Sequence, residues 1–591
     1  QSGALKAAKK KMENLDYMGA IQAYNQILKK NEPAEAKINL ADCYRKVSDV
    51  DNAEFWYGQV VRLPEAEPIH YLHYGHMLMR NNKCDMAIEW FQKYIEAYPD
   101  DVRGQHLLRA CDFKDELLTK NAGIYEIENM PFNTGLDDFG PAYFGEGLVY
   151  ASESGQNFPV KRLHCWTGNP FLELYHVERT EVDAPMCDYE YGDAEKFSSR
   201  LNSKYHDAAV SFAEDNSEIF FTRNNLLNGR ARKDDEGIIR LKIYSAEGNG
   251  GSGAGTAWSN MESLPFNSDE YSVAHPALAP DGQFLYFASD MPGGFGGMDL
   301  YVSEKENERW GPPLNLGPTV NTEGHEVFPF YAKDNKLYFA SDGQVGLGGL
   351  DLFFVEKKEA FNEWGEINNM GAPINSEDDD FGLIMNEERT CGYFTSDREG
   401  GKGDDDIYSF RRNAATVKLL VYDEKTKEPI EGAEVVSDCT GNTVFTDKEG
   451  IAYVDQKLNQ CCNFAASKEE YNNNEQEACT TGLTPGEETI VEIPLNKSVD
   501  FQLSGIVTDL RSGQPIPDAE VVITDCNGEE EVIMTDASGF YATTNLVEDC
   551  CVSTSVTKSG YTTSSGSSKS DLCPTTETPK LTGNMTLDNF L

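Results

Sequence analysis

The 591-residue chain reads as a multidomain protein, α-helical first and all-β afterwards. The predicted order is an α-helical repeat domain, a five-bladed β-propeller and two tandem β-sandwiches. Three observations predict it. A small residue followed four positions later by an aromatic recurs at steps of 33 and 34 in the first hundred residues. FASD or FTSD recurs three times between residues 287 and 397. A proline–alanine–cysteine pattern occurs twice after residue 415.

The helical part is predicted over residues 1–121. GAIQAYNQIL, NAEFWYGQVV and MAIEWFQKYI align at Ala20, Ala53 and Ala87, with Tyr24, Tyr57 and Phe91 at the same step. That spacing places both residues on one helix face, the small one admitting a neighbouring helix and the aromatic filling the gap. Pro33, Pro64 and Pro99 close the units. Ala8, Ala41 and Gly75 lie where the partner helix crosses, and residues 101–119 read as a capping helix. The pattern resembles the tetratricopeptide repeat, which implies a groove able to hold a partner segment.

Residues 122–413 carry the second repeat. FASD at 287–290 and 339–342 and FTSD at 394–397 end strand-like runs, each followed nine positions on by another aspartate. The pairs are Asp290 and Asp299, Asp342 and Asp351, Asp397 and Asp406. Asn133, Asn202, Asn267, Asn321 and Asn375, each before Thr or Ser, mark five units. Five small sheets cannot each bury a core alone but can do so arranged radially. GGFGG between Asp290 and Asp299 reads as a strand reversal, because it opens another strand where a phosphate cradle opens a helix. The aspartates are then expected to lock the turn by accepting backbone N–H bonds. EIENM at 126–130 matches EINNM at 366–370, so residues 124–130 are expected to close the last blade. HPALAPDGQFLYFASD…GGMDLY resembles the PD40, or TolB-like, propeller repeat.

Residues 414–497 and 498–591 form a tandem. YDEKTKEPIEGAEVVSDCTGN matches TDLRSGQPIPDAEVVITDCNGE, and each runs into a glycine-turn hairpin. Cys439, Cys461, Cys462 and Cys479 parallel Cys526, Cys550, Cys551 and Cys573. Vicinal cysteines seldom bond to each other, so each outer cysteine takes one of the vicinal pair, in either of two arrangements. Cys165 and Cys187 flank an insertion and are expected to pin it. Both segments resemble the carboxypeptidase regulatory-like domain, which implies small transthyretin-like β-sandwiches; Lys427 stands where the pattern has glycine.

The net charge of −48, from 51 basic and 99 acidic residues, disfavours nucleic-acid binding. Fourteen cysteines, eight in matching sets, point to an oxidising compartment. No run is long and apolar enough to span a bilayer. The start at Gln1 fits a mature exported protein. HExxH, GxSxG and GxxxxGK[ST] are missing, so the expectation is not an enzyme and no cofactor. Calcium is the one ion considered, at the acidic runs holding Asp378, Asp379, Asp404 and Asp405. His70, His73 and His76 are spaced by three, which spreads them around a helix, so a groove-facing rim is expected there and not a metal site.

The domain order resembles the OmpA-family envelope proteins of Bacteroidota, and most closely the PorE-type component of type IX secretion. That resemblance implies a periplasmic scaffold at the inner face of the outer membrane, beside a PorP/SprF-type β-barrel. Peptidoglycan would be reached through a further, OmpA-type domain. The alternative is a sensor that binds a glycan or peptide in the propeller channel.

Overall fold

The computed structural model describes residues 2–153, 163–183, 187–227, 229–251, 253–358, 362–441, 443–498, 501–563, 572–575 and 578–589. The chain forms two compact units. One holds Gln1–Thr416 with Asp455–Gln460 and Thr480–Thr489; the other holds the remainder, which is most of both sandwiches.

Among the described residues, seven helices open the first unit: α1 (Ser2–Glu13), α2 (Tyr17–Leu28), α3 (Ala34–Lys46), α4 (Val50–Val60), α5 (Pro68–Arg80), α6 (Cys84–Ala97) and α7 (Val102–Thr119). Each packs on the next. Asp16, Asp49 and Asp101 cap α2, α4 and α7 by accepting a backbone N–H near the helix start. Ala20, Ala53 and Ala87 are fully buried, as are Tyr24, Tyr57 and Phe91, so the recurring pair forms the helix–helix contact. At Gly75 a β-carbon would press on the Phe91 ring, which explains the small residue there.

Five antiparallel sheets follow. Their first strands are Asp138–Phe144, Asp207–Phe212, Val273–Leu278, Glu326–Tyr331 and Asp380–Met385, each at the edge of its sheet. Each first strand packs on the next, and the fifth packs on the first. Tyr125–Asn129 pairs antiparallel with Asp406–Arg412 as the outer strand of the fifth sheet, the pairing that the EIENM match predicts. The marker asparagines hold neighbouring segments together. In all five, the side chain accepts from the N–H and donates to the C=O of one residue in the third strand of the preceding sheet. Asn133 does this to Ile407, which ties the first sheet to the last.

The fold class predicted from the sequence is corrected here. The all-β region is an array of small, unequal sheets and not a set of equal blades. The outer position of the third sheet is split between Arg309–Trp310 and Leu314–Asn315, and Glu195–Lys196 and Asn368–Asn369 are two-residue outer strands. The pairs Arg179–Asp183/Asp188–Tyr191 and Leu226–Leu227/Arg230–Ala231 stand as separate two-stranded sheets. The helices also share one compact unit with these sheets.

The first sandwich has two four-stranded sheets around Val417, Leu419, Val435, Phe464 and Ile493. The second has a five-stranded and a three-stranded sheet around Leu503, Val507, Val521, Tyr541 and Leu587. Lys427 adopts φ +62°, matching Gly513 at +69°, so the lysine occupies a left-handed position where its neighbour has glycine.

Candidate functional site

Two features of the first unit bear on binding: the helical face expected to form a groove, and a cavity ringed by the five first strands. The groove is filled from within. The loop after Asp342 runs along it and Val345 packs into the helical core. The His76 Nε2–H donates to Gly348 O at 2.8 Å, and the His106 Nδ1–H donates to Gly343 O at 2.8 Å. The Arg80 guanidinium reaches Asp379 at 3.3 Å, Asp397 at 3.5 Å and Asp378 at 3.9 Å. At Gly348 a β-carbon would collide with the Glu377 carbonyl, so only glycine allows this approach. The groove expected to hold a partner segment therefore holds the chain's own loop.

This docking shows where two sets of candidate residues lie. The three histidines point to different partners, as their spacing of three implies. His70 Nδ1 accepts from the Glu67 N–H at the start of α5, His73 faces the Tyr57 hydroxyl and His76 faces Gly348. Burial holds His73 well below the usual histidine range and lowers His76, keeping both neutral. The calcium candidates are divided between two places. Asp378 and Asp379 face Arg80, whereas Asp404 and Asp405 lie beside Asp137, whose carboxyl is pushed up to about 7 by burial and by Glu153 and Asp404. Among the described residues, the groups compact enough to share an ion are Asp438/Cys439/Cys462 and Cys461/Glu477/Cys479, and their cysteines are in disulfides.

The six repeat aspartates all accept backbone N–H bonds. Asp299 takes those of Phe295 (2.6 Å) and Gly296 (3.1 Å), and Asp351 those of Leu347 (2.6 Å) and Gly348 (3.3 Å). Asp406 takes those of Lys402 and Gly403. Asp290, Asp342 and Asp397 receive the N–H groups of Ser272, His325 and Asp379 at the preceding turns. The glycine loops are thus cross-tied reversals.

The disulfides are Cys439–Cys462 and Cys461–Cys479 in the first sandwich, and Cys526–Cys550 and Cys551–Cys573 in the second. The predicted Cys165–Cys187 bridge is corrected: Cys187 bonds Cys391, joining the Asp188–Tyr191 hairpin to the fifth sheet, and Cys165 is free and exposed. Two cysteines adjacent in sequence order were not adjacent in the closed array of sheets. Cys84–Cys111, joining α6 to α7, was not anticipated; that both fall in neighbouring predicted helices was the available signal.

The central cavity has a volume of about 520 Å³. Each first strand is bulged at the matching place, with a left-handed residue at Gly140, Ala209, His275, Phe328 and Gly382. Three of these are not glycine, and such strain persists only where the surroundings impose it. His275 stacks on Phe328 with centroids 3.7 Å apart, and Phe139 and Phe381 close around Phe328. Burial lowers His275 to about 3, so the ring is neutral. Glu146, Glu214, Lys333, Asp334, Glu387 and Arg389 border the same cavity.

Residues 502–570 match the carboxypeptidase regulatory-like domain. No curated protein matches the chain. Among solved structures, the chain is similar to the Streptococcal ancillary pilin at 13% identity and TM-score 0.20, over 41% of this chain and 82% of that one. The shaft pilin SpaA from Lactobacillus rhamnosus GG aligns at 11% identity and TM-score 0.18, over 30% and 98%. The minor pilin GBS52 of Streptococcus agalactiae aligns at 13% identity and TM-score 0.16, over 30% and 97%. The described residues themselves form seven helices followed by small, mainly antiparallel sheets. No helix among the described residues is long and apolar enough to cross a membrane.

Proposed function

We propose that the chain is a non-catalytic adaptor of the cell envelope. It works in the periplasm at the inner face of the outer membrane and links a β-barrel complex, of PorP/SprF type as in type IX secretion, to the cell wall. The link to peptidoglycan runs through a further OmpA-type domain. The observation that carries this reading is the distribution of six disulfides over helices, sheets and both sandwiches, which suits a load-bearing part in an oxidising space. The helices, with tetratricopeptide-type spacing, brace the sheets through Arg80, His76 and His106. Affinity capture of the tagged chain from solubilised envelopes of its own organism tests the reading. Stoichiometric recovery of an outer-membrane β-barrel is expected, and recovery of the chain alone overturns it.

A second reading is favoured by the cavity: binding of a small glycan or a peptide among the five first strands. Its volume and its mixture of aromatic and polar residues suit a ligand of a few residues. Calorimetric titration with a panel of short glycans and peptides tests it, and silence across the panel removes it.

A further inference from the structure

We infer that the central cavity takes a peptide side chain or terminus carrying a positive charge, and that Lys333 is its built-in stand-in. The inference rests on the cavity-binding reading and adds the ligand's chemistry.

Four acidic residues and two basic ones border the cavity, leaving it net acidic. Both cations are already paired. Lys333 Nζ lies 2.7 Å from Glu214 and 2.6 Å from Glu387, so one ammonium joins the rims of the second and fifth sheets. Arg389 pairs with Asp334 at 2.8 Å. An anionic ligand would have to strip these cations of their partners. A cationic ligand needs only to displace Lys333, and then finds two carboxylates already set at ammonium distance. Glu214 and Glu387 are about two-thirds exposed, so both can be reached from solvent.

The walls agree with the rim. Pro141, Pro276 and Pro329 line the cavity in three of the five first strands and bring no backbone N–H. Inward-facing backbone there is biased toward acceptors, which suits a ligand rich in donors. Below, the stacked His275 and Phe328 rings offer an apolar seat for the body of the ligand. The overall charge of −48 draws cations toward the protein.

The probe is the peptide acetyl-Leu-Lys-Phe-amide, compared with its norleucine form, which lacks the ammonium, and with a neutral oligosaccharide. Titration into the full chain at low salt is read by calorimetry. The lysine peptide is expected to bind about tenfold tighter than the norleucine form. Glu214→Gln with Glu387→Gln, both on the surface, should erase that difference. Lys333→Met should raise affinity for the lysine peptide about threefold by freeing the carboxylates. Equal binding of the two peptides overturns the inference, as does a preference that survives the double glutamine variant or a Lys333→Met chain that binds no better. Binding of the oligosaccharide or the norleucine peptide alone also overturns it, while leaving the cavity-binding reading in place.

Discussion

Single residues carry much of the order in the first unit, and glycine and asparagine carry it by different means. Gly348 matters because its missing side chain lets the loop lie against the Glu377 carbonyl and under His76. Gly348→Ala is expected to lift the loop from the helical groove and lower the melting temperature by several degrees, about 2 kcal/mol of lost packing and hydrogen bonding. An unchanged melt would show that the loop is dispensable. Asn321 matters because both ends of its amide are used in a buried place, on the N–H and C=O of Leu300. Asn321→Ala removes the acceptor of the Leu300 N–H, while the Leu300 C=O keeps the Leu316 N–H, and should cost about 1–3 kcal/mol in chemical denaturation. Glu326 is fully buried and accepts from the Thr322 N–H and from the Thr322 and Ser341 hydroxyls. Burial pushes its carboxyl up to about 8. A carboxyl raised above its unfolded value of 4.5 favours the folded state fully below that pH, and the contribution is lost as pH rises toward 8. Burial also raises Asp137 to about 7 and Asp207 to about 6, in the same direction. The Glu326 contribution is therefore expected to fall from pH 5 to pH 8 while the buried neutral histidines contribute in the opposite sense, so Glu326→Gln should shift the melting-temperature slope over that range upward relative to the parent. A slope identical in the variant would rule out Glu326 as a contributor.

At the scale of elements, the five bulged first strands and the disulfide-linked hairpin do the positioning. The bulges turn each edge strand at the same place and leave a cavity where five edges approach one another. The Cys187–Cys391 bond crosses a sequence separation of 204 and joins the separate Arg179–Asp183/Asp188–Tyr191 pair to the fifth sheet. Replacing both cysteines with serine is expected to destabilise the first unit by about 2–4 kcal/mol, since the bond restrains a long loop in the unfolded chain. Denaturant melts that coincide with those of the parent would contradict this. The helices are elements of the same unit, because α5 and α7 supply Arg80, His76 and His106 to loops of the fourth and fifth sheets.

At the scale of the whole molecule, the adaptor reading predicts that the first unit withstands load as one body. Limited proteolysis of the oxidised chain should spare Gln1–Thr416 while reduction exposes it, and equal cleavage in both states would count against that picture. Much of this organisation is legible in the sequence. The 33- and 34-residue steps place the helix contacts, the five asparagines mark the sheets, and the paired cysteine sets locate the sandwiches, the second of which matches the carboxypeptidase regulatory-like domain. These signals are local: each depends on which residues share a face or a turn a few positions apart. Three matters were beyond them: that Cys187 bonds Cys391, that the helical groove is filled by the loop after Asp342, and that Lys333 joins Glu214 to Glu387 over the cavity. In each, residues far apart along the chain meet only when the fifth sheet has closed on the first and the helices have docked. Periodicity reports the face a residue presents, and only the tertiary structure decides what that face meets.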